Sequence, residues 1–274
     1  MSIQTEGYLS ADIHNWTKQH RAVHGPWFDL LDRLNRLVQR VMLETVVPAD
    51  DNQSMMMLLL FARSVSSFQG ASLLVERGMT IEARTLARST LESAFYLGAI
   101  SNDASFIDQL LSARMKHNKT TANWLTGNGA PVAKLSDEQV KNLGQFLDDL
   151  KTSGAATDAI RMQQAAQKAK MADIYEVLYR DLSNGAAHPS LDSLRRHIEE
   201  DDACNLIGLR SGPDAKDIRE TIIDMTMAMF CAVKGLNTFL NTECKSELTA
   251  CWGLHTQLID TQHASTISEN ANVL

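Results

Sequence analysis

Hydrophobic residues recur every three or four positions along most of this chain, which is the spacing of an amphipathic α-helix. In residues 26–46, for example, Leu30, Leu34, Val38 and Val41 lie on one face. No segment shows a convincing strand pattern. We therefore predict an all-α fold, a bundle of about eight to ten helices. The spacing and its Gly, Pro and Asn breaks predict helices over residues 10–24, 26–46, 52–77, 80–100, 103–125, 136–151, 155–185, 213–240 and 242–260, with a short one after residue 189.

Breaks in this pattern indicate how the chain is organised. No repeat of 20–50 residues is present, so a solenoid is not expected. We predict one helical bundle domain over residues 1–241 and a mobile excursion within it over residues 126–170. Residues 242–274 are predicted to form a peripheral C-terminal helix and a tail that frays from Thr261, where the sequence becomes polar and loses its periodicity.

Composition and charge narrow the classes of function. The chain has 26 basic and 33 acidic residues, and its net charge of −7 disfavours broad nonspecific DNA binding. Residues 1–14 lack the signal-peptide pattern, and the apolar run 55–62 is too short to cross a bilayer, so we expect no membrane association and a cytoplasmic location. The four cysteines match no metal or redox motif, and His20 and His24 lack a third ligand. We expect no metal and no cofactor.

The most informative feature is a row of charges on a helix that should be apolar. Arg84, Arg88 and Glu92 are four residues apart, and Leu91 and Phe95 fall in the same stripe. The charges therefore point inward, where an unpaired ion costs several kcal/mol, so their partners must come from elsewhere in the fold. The opposite face carries small or polar residues that suit water: Glu82, Thr85, Ser89 and Ser93.

A second group of polar residues, further along the chain, is predicted to supply those partners. It comprises Tyr175, Tyr179, Arg180, Ser183 and His188. Asn184 and Gly185 should end the helix, and Pro189 restricts the backbone of His188. We expect the His188 imidazole at this turn, close to the Arg88–Glu92 pair and largely neutral at pH 7, where it can accept or transfer a proton.

Two sequence pieces carry a resemblance to known families. ARTLARSTLESAFYL (83–97) and YRDLSNGAAHPS (179–190) resemble the signatures of an uncharacterised bacterial all-helical family, a domain of unknown function with Arg-x3-Glu and Tyr-x3-Ser-x4-His-Pro motifs. More distantly, the chain is similar to the HEPN superfamily of helical bundles. Many of its members are metal-independent ribonucleases in which four to six residues separate an arginine from a following histidine. That resemblance implies that Arg180 and His188 act on a phosphodiester, usually across a homodimer, although seven residues separate them here.

Three functions from different classes follow. The first is a HEPN-like ribonuclease, a toxin or phage-defence effector, in which Arg180 and His188 are catalytic and Arg84 or Arg88 stabilises charge. The second is a non-enzymatic module that binds a small anionic or nucleotide-like ligand through Arg84 and Arg88. The third is a structural or assembly protein in which the polar cluster sets helix register. In each case we expect a homo-oligomer, most simply a dimer, with RNA or a small anion as the other candidate partner.

Overall fold

The computed structural model confirms the all-α fold. It describes residues 2–129, 133–154, 156–187, 191–195, 197–201, 203–210 and 212–271. In chain order the helices are α1 (Ile3–Glu6), α2 (Ile13–Val23), α3 (Gly25–Glu44), α4 (Asn52–Val75), α5 (Thr80–Asn102), α6 (Phe106–Trp124), α7 (Asp137–Ser153), α8 (Met162–Lys168), α9 (Ala172–Ile174), α10 (Arg180–Leu182), α11 (Leu191–Arg195), α12 (Ile218–Leu240) and α13 (Lys245–Ala271). A 3-10 turn spans Gly7–Leu9, π-helical turns span Leu125–Gly129, Tyr175–Tyr179 and Ser183–Ala187, and the strands are β1 (Ile198–Glu200) and β2 (Leu206–Leu209).

Helix α5 lies at the centre of the bundle. Helices α4 and α12 pack along it, α8 packs near its C-terminal end, and α3 and α13 form an outer layer. Because neighbours cover α5 on several sides, its predicted water-facing side is wrong at Ser93, which is buried. The Ser93 hydroxyl donates to the carbonyl of Ser89 at 3.1 Å, which satisfies it inside the fold.

Small residues allow the central helices to approach closely. A Cβ on Gly98 of α5 would lie 2.7 Å from Cβ of Ala169, just after α8. A Cβ on Gly235 of α12 would lie 3.0 Å from Cβ of Leu97. The backbone of α5 is therefore in close contact on two sides, and larger residues at these glycines would push the helices apart.

Several helix ends follow directly from the sequence. The Asp51 carboxylate accepts hydrogen bonds from the backbone N–H groups of Gln53 and Ser54, both at 3.1 Å, and caps α4. Ser136 and Gln139 form a capping box at α7, and Gly154 ends that helix in the left-handed region. These signals are local, so sequence alone places them.

Three predicted helix boundaries differ from the structure. Residues 156–161 are not helical, because the backbone N–H of Asp158 donates to Ser112 Oγ at 2.8 Å and holds this segment on α6. Helix α12 begins at Ile218 rather than at Pro213. Helix α13 extends to Ala271 rather than ending at residue 260, and no Gly or Pro follows Thr261 within it.

The expectation of no strand is also corrected. Strands β1 and β2 form a two-stranded antiparallel hairpin. Its turn is stabilised by Asp201, whose carboxylate accepts from the backbone N–H groups of Ala203 and Asn205. The Asn205 hydrogen bonds also hold the pKa of Asp201 below its ordinary value. The charge run before the turn obscured a strand signal that Leu206–Leu209 carries in its apolar residues.

Two helices are long and apolar enough to cross a membrane by length and composition. They are α4 and α12, and a core helix of a soluble protein passes the same test. The predicted domain limits and the mobile excursion over residues 126–170 stay predictions. Within that range, α8 packs on α5 with Ala165 and Ala166 fully buried.

Candidate functional site: a polar network on helix α5

The residues from Tyr175 to Ala187 lie along α5 as a segment of mixed helical type. The π turns Tyr175–Tyr179 and Ser183–Ala187 flank the single α turn of α10. Residues four apart drift by about 40° in an α-helix, and the wider π turns reverse that drift. Tyr179 and Ser183 therefore both face Arg88 of α5. We call this stretch, residues 175–187, the motif segment.

Arg84 is neutralised by two acids. Its side chain is 7% exposed and forms ion pairs with Asp181 of the motif segment and, at 3.2 Å, with Asp224 of α12. Sequence reasoning predicted an inward-pointing Arg84 but did not identify either partner. The signal for Asp224 was present, because it is a lone carboxylate within an apolar stretch of α12. Arg84 thus links three elements: α5, α10 and α12.

Arg88 is the centre of a second set of hydrogen bonds. Its Nε donates to Ser183 Oγ at 3.1 Å, and its Nη2 donates to the Tyr179 hydroxyl at 2.9 Å. The same Nη2 lies 2.9 Å from Glu92 Oε1. The Arg88 guanidinium also lies over the Tyr179 ring, 5.1 Å from its centroid. Arg88 and Glu92 are 25% and 28% exposed, so water reaches the edge of this pair.

The Tyr179 hydroxyl closes the network. It accepts from Arg88 and donates to Glu92 Oε1 at 3.0 Å. Burial, together with the Glu92 carboxylate, raises the pKa of Tyr179 above its ordinary value, so the phenol keeps the proton that it donates. Tyr175 stacks on the Tyr179 ring with centroids 5.1 Å apart, and Phe95 packs against it at 5.8 Å. These rings restrict the hydroxyl to one position.

Arg180 lies apart from this network. Its side chain is 64% exposed and pairs with Glu176 at 2.7 Å on the outer side of the motif segment. The structure therefore joins Arg84, Arg88 and Glu92 to the motif segment but does not bring Arg180 to them. His188 and Pro189 lie outside the described residues, and so does the predicted contact of His188 with the Arg88–Glu92 pair.

The arrangement is well suited to holding helices together. Two carboxylates face Arg84, and one carboxylate and two hydroxyls face Arg88. A guanidinium that already has carboxylate partners gains little from a further anion, since the ligand must displace them. The network therefore fixes the motif segment on α5 and sets the direction in which the chain leaves it.

The chain that follows the motif segment exposes an unusual number of large apolar side chains. Five of them, each at least half exposed, lie on α11 and the hairpin: Leu191, Leu194, Leu206, Ile207 and Leu209. We call this the hairpin patch. Large apolar side chains exposed within one short stretch of chain are candidates for an interaction site.

Comparisons with known proteins identify a family but no function. A model described as a family of unknown function (DUF5677) matches residues 54–205, more than half of the chain. This range includes most of α4 and all of α5, the motif segment and β1. A search of curated proteins and a search of solved structures gave no match.

Proposed function

We propose that this chain, which belongs to the DUF5677 family of unknown function, is a non-catalytic assembly protein. In this proposal the polar network holds the motif segment on α5, and α11 with the hairpin is presented to a second copy of the chain. The observation on which this proposal rests is the exposure of the apolar side chains of the hairpin patch. In this proposal the protein is cytoplasmic, and the packing of α12 as a core helix of the bundle fits a soluble chain.

The free edge of β2 is suited to pairing with itself. The backbone N–H of Arg210 donates to the carbonyl of His197 at 2.9 Å, so Gly208 and Arg210 turn their backbone groups toward β1. Leu209, which lies between them, turns its backbone groups outward. Ile207 lies at an irregularity of the ladder, because Glu199 pairs with Gly208 and Glu200 pairs with Leu206. An unpaired strand edge of this kind readily accepts another strand.

Two-fold symmetry then makes the pairing self-consistent. Two β2 strands placed antiparallel about an axis at Gly208 put Ile207 of one copy opposite Leu209 of the other, twice. The outward backbone groups of Leu209 are available for hydrogen bonds between the two copies, and each apolar cross-strand pair contributes about 0.2–1 kcal/mol. The result is a four-stranded sheet across the dimer.

Sedimentation of the full chain tests this proposal. We expect wild-type protein to dimerise in the micromolar range and Ile207→Lys with Leu209→Lys to raise the dissociation constant more than about 100-fold. Leu43→Lys is the matched control, since Leu43 is 77% exposed on α3 and lies outside the patch. A wild-type monomer at about 100 µM, or a double variant that dimerises like wild type, overturns the proposal. Circular dichroism checks that each variant keeps its helices.

A second candidate is RNA cleavage with Arg180 and His188 as the catalytic pair. The favouring observation is the exposure of Arg180, whose only ion pair among the described residues is with the partly exposed Glu176. Exposed pairs of this kind are weak, so the guanidinium is free to contact a phosphate. Arg84 and Arg88, which face carboxylates, have no part in this candidate.

Labelled RNA separates the two candidates. If the protein is a ribonuclease, wild type cleaves RNA in the presence of a chelator, while Arg180→Ala and His188→Ala lose cleavage and Arg161→Ala, another exposed arginine, retains it. If wild type at micromolar concentration leaves the RNA intact, the assembly proposal stands alone.

A further inference from the structure

A second region, lined by residues that take no part in the polar network, has the character of a ligand site. A cleft of about 480 Å³ opens between the turn after α8, helix α12 and helix α13. Its walls are largely apolar, with Met171, Ile174, Met227, Phe230, Leu248 and Trp252 among the lining residues. The volume is within the range of small-molecule sites, and methionine and aromatic side chains adapt well to an alkyl chain.

The charges in this cleft have one sign. Lys170 and Lys234 line it, and no Asp or Glu is among the described lining residues, although the chain as a whole carries a net charge of −7. No ion pair of either ammonium is found in the described part of the chain. Cys231 adds no negative charge, because burial raises the pKa of its thiol to about 11. The cleft is therefore apolar with uncompensated positive charge.

Lys170 stands at a position that normally favours glycine. Its φ is 58°, in the left-handed region. Its N–H donates to the carbonyl of Gln167 at 3.0 Å, and the N–H of Met171 donates to that of Ala166 at 2.8 Å. This is a Schellman end to α8, in which glycine adopts the required conformation without strain. A lysine at this position accepts backbone strain and places an ammonium group at the cleft, a combination that points to a function for the side chain.

We infer that this cleft binds a small amphipathic carboxylate, a single acyl chain with an anionic head group. The apolar walls would take the chain, and Lys170 and Lys234 would face the carboxylate. The inference is independent of the hairpin patch, because none of the lining residues belongs to α11 or the hairpin.

Calorimetric titration of the full chain with three probes tests the ligand class. Decanoate carries both the chain and the charge, decanol carries the chain alone, and acetate carries the charge alone. We expect decanoate to bind with one site per chain, decanol to bind at least about tenfold more weakly, and acetate not to bind. Absence of saturable decanoate binding up to about 1 mM overturns the inference. Equal affinity for decanol also overturns it, since an apolar occupant such as another helix would then fit better.

Glycine substitution provides a sharp test of the site. Lys170→Gly should raise the melting temperature, because it relieves the left-handed lysine, and should weaken decanoate binding about five- to tenfold. Lys134→Gly is the matched control: Lys134 is exposed, has a φ of 53° and lies outside the cleft. It should raise the melting temperature and leave decanoate binding unchanged.

Lys234→Met removes the second charge and keeps an apolar side chain of similar length. We expect it to weaken decanoate binding about as much as Lys170→Gly, with little change for decanol. If both cleft variants bind decanoate like wild type, the ligand lies elsewhere and the assignment fails.

Discussion

Two regions of this molecule place cations beside apolar side chains, and the cations differ in whether the fold supplies acids to pair with them. On α5, Arg84 faces two carboxylates, and Arg88 faces one carboxylate and two hydroxyls. In the cleft beside α12, Lys170 and Lys234 share apolar walls with no acid among the described lining residues. The fold therefore supplies the counter-charges of both arginines, whereas no counter-charge for the lysines is found among the described lining residues.

The difference shows why burial of a charged residue is not in itself a sign of function. A buried ion must be compensated, and when the fold supplies its own acids the ion serves to join helices. An exposed lysine at an apolar cleft, with no acid among the described lining residues, remains available to pair with the carboxylate of a ligand. The two predicted arginines therefore belong to the framework, and the two unpredicted lysines are the better candidates for ligand contact.

The largest effect on stability is expected when Arg84 is removed from the polar network on α5. Arg84→Ala should lower the free energy of unfolding by about 3–5 kcal/mol, because Asp224 is left largely buried without its cation. Urea unfolding followed by circular dichroism measures this loss. Arg180→Ala is the control, since Arg180 is exposed, and its unfolding midpoint should match wild type. A loss below about 1 kcal/mol for Arg84→Ala would mean that the network does not hold the helices.

A smaller effect is expected at the edge of the same network, where water reaches Arg88 and Glu92. Tyr179→Phe and Glu92→Gln should each cost about 1–2 kcal/mol, and the double variant should cost about 1 kcal/mol less than their sum, because the two side chains share a hydrogen bond. Urea unfolding of the four proteins gives this coupling.

Tyr175→Phe is the matched control for that cycle. The Tyr175 ring stacks on the Tyr179 ring. No hydrogen bond of the Tyr175 hydroxyl is found in the described part of the structure. Additive losses for Tyr179→Phe and Glu92→Gln, or an equal loss for Tyr175→Phe, would contradict a coupled network.

The smallest effect concerns the wall of the cleft. His255 is buried against Phe230 and Trp252, and burial lowers its pKa below the ordinary 6.5. The unfolded chain therefore binds its proton first, so stability is full above pH 6.5 and declines as the pH falls below it. One such proton changes the free energy of unfolding by at most about 1.4 kcal/mol per pH unit.

Urea unfolding between pH 7.5 and about 5 checks this prediction. His255→Phe should make the decline shallower, and His14→Phe, at an exposed position on α2, should leave it unchanged. His20 and His24 also have pKa values lowered by burial, so a residual decline is expected in His255→Phe. An unchanged decline in that variant would exclude His255 as a source of acid sensitivity.

Much of the fold and part of the site could be predicted from local sequence. Asp51, Ser136 and Gly154 mark helix ends through bonds to residues within a few positions, so the sequence contains all the partners. The four-residue spacing of Arg88 and Glu92 likewise predicted an inward pair, and the spacing of Tyr179 and Ser183 predicted a facing helix. The hairpin at residues 198–209 also forms between neighbouring segments of the chain. Its apolar strand was not predicted, because it directly follows a run of charged residues that is typical of an exposed loop.

The helical class, most helix ends and the inward direction of Arg84, Arg88 and Glu92 could be predicted, because they depend on periodicity and neighbouring residues. Folding decided which acids neutralise Arg84, since Asp181 and Asp224 are 97 and 140 positions further along the chain. It also decided that Arg180 faces water and that Lys170 and Lys234, 64 positions apart, line one cleft. Charge compensation depends on side chains that folding brings together from distant positions, so the spacing of residues along one helix cannot predict it.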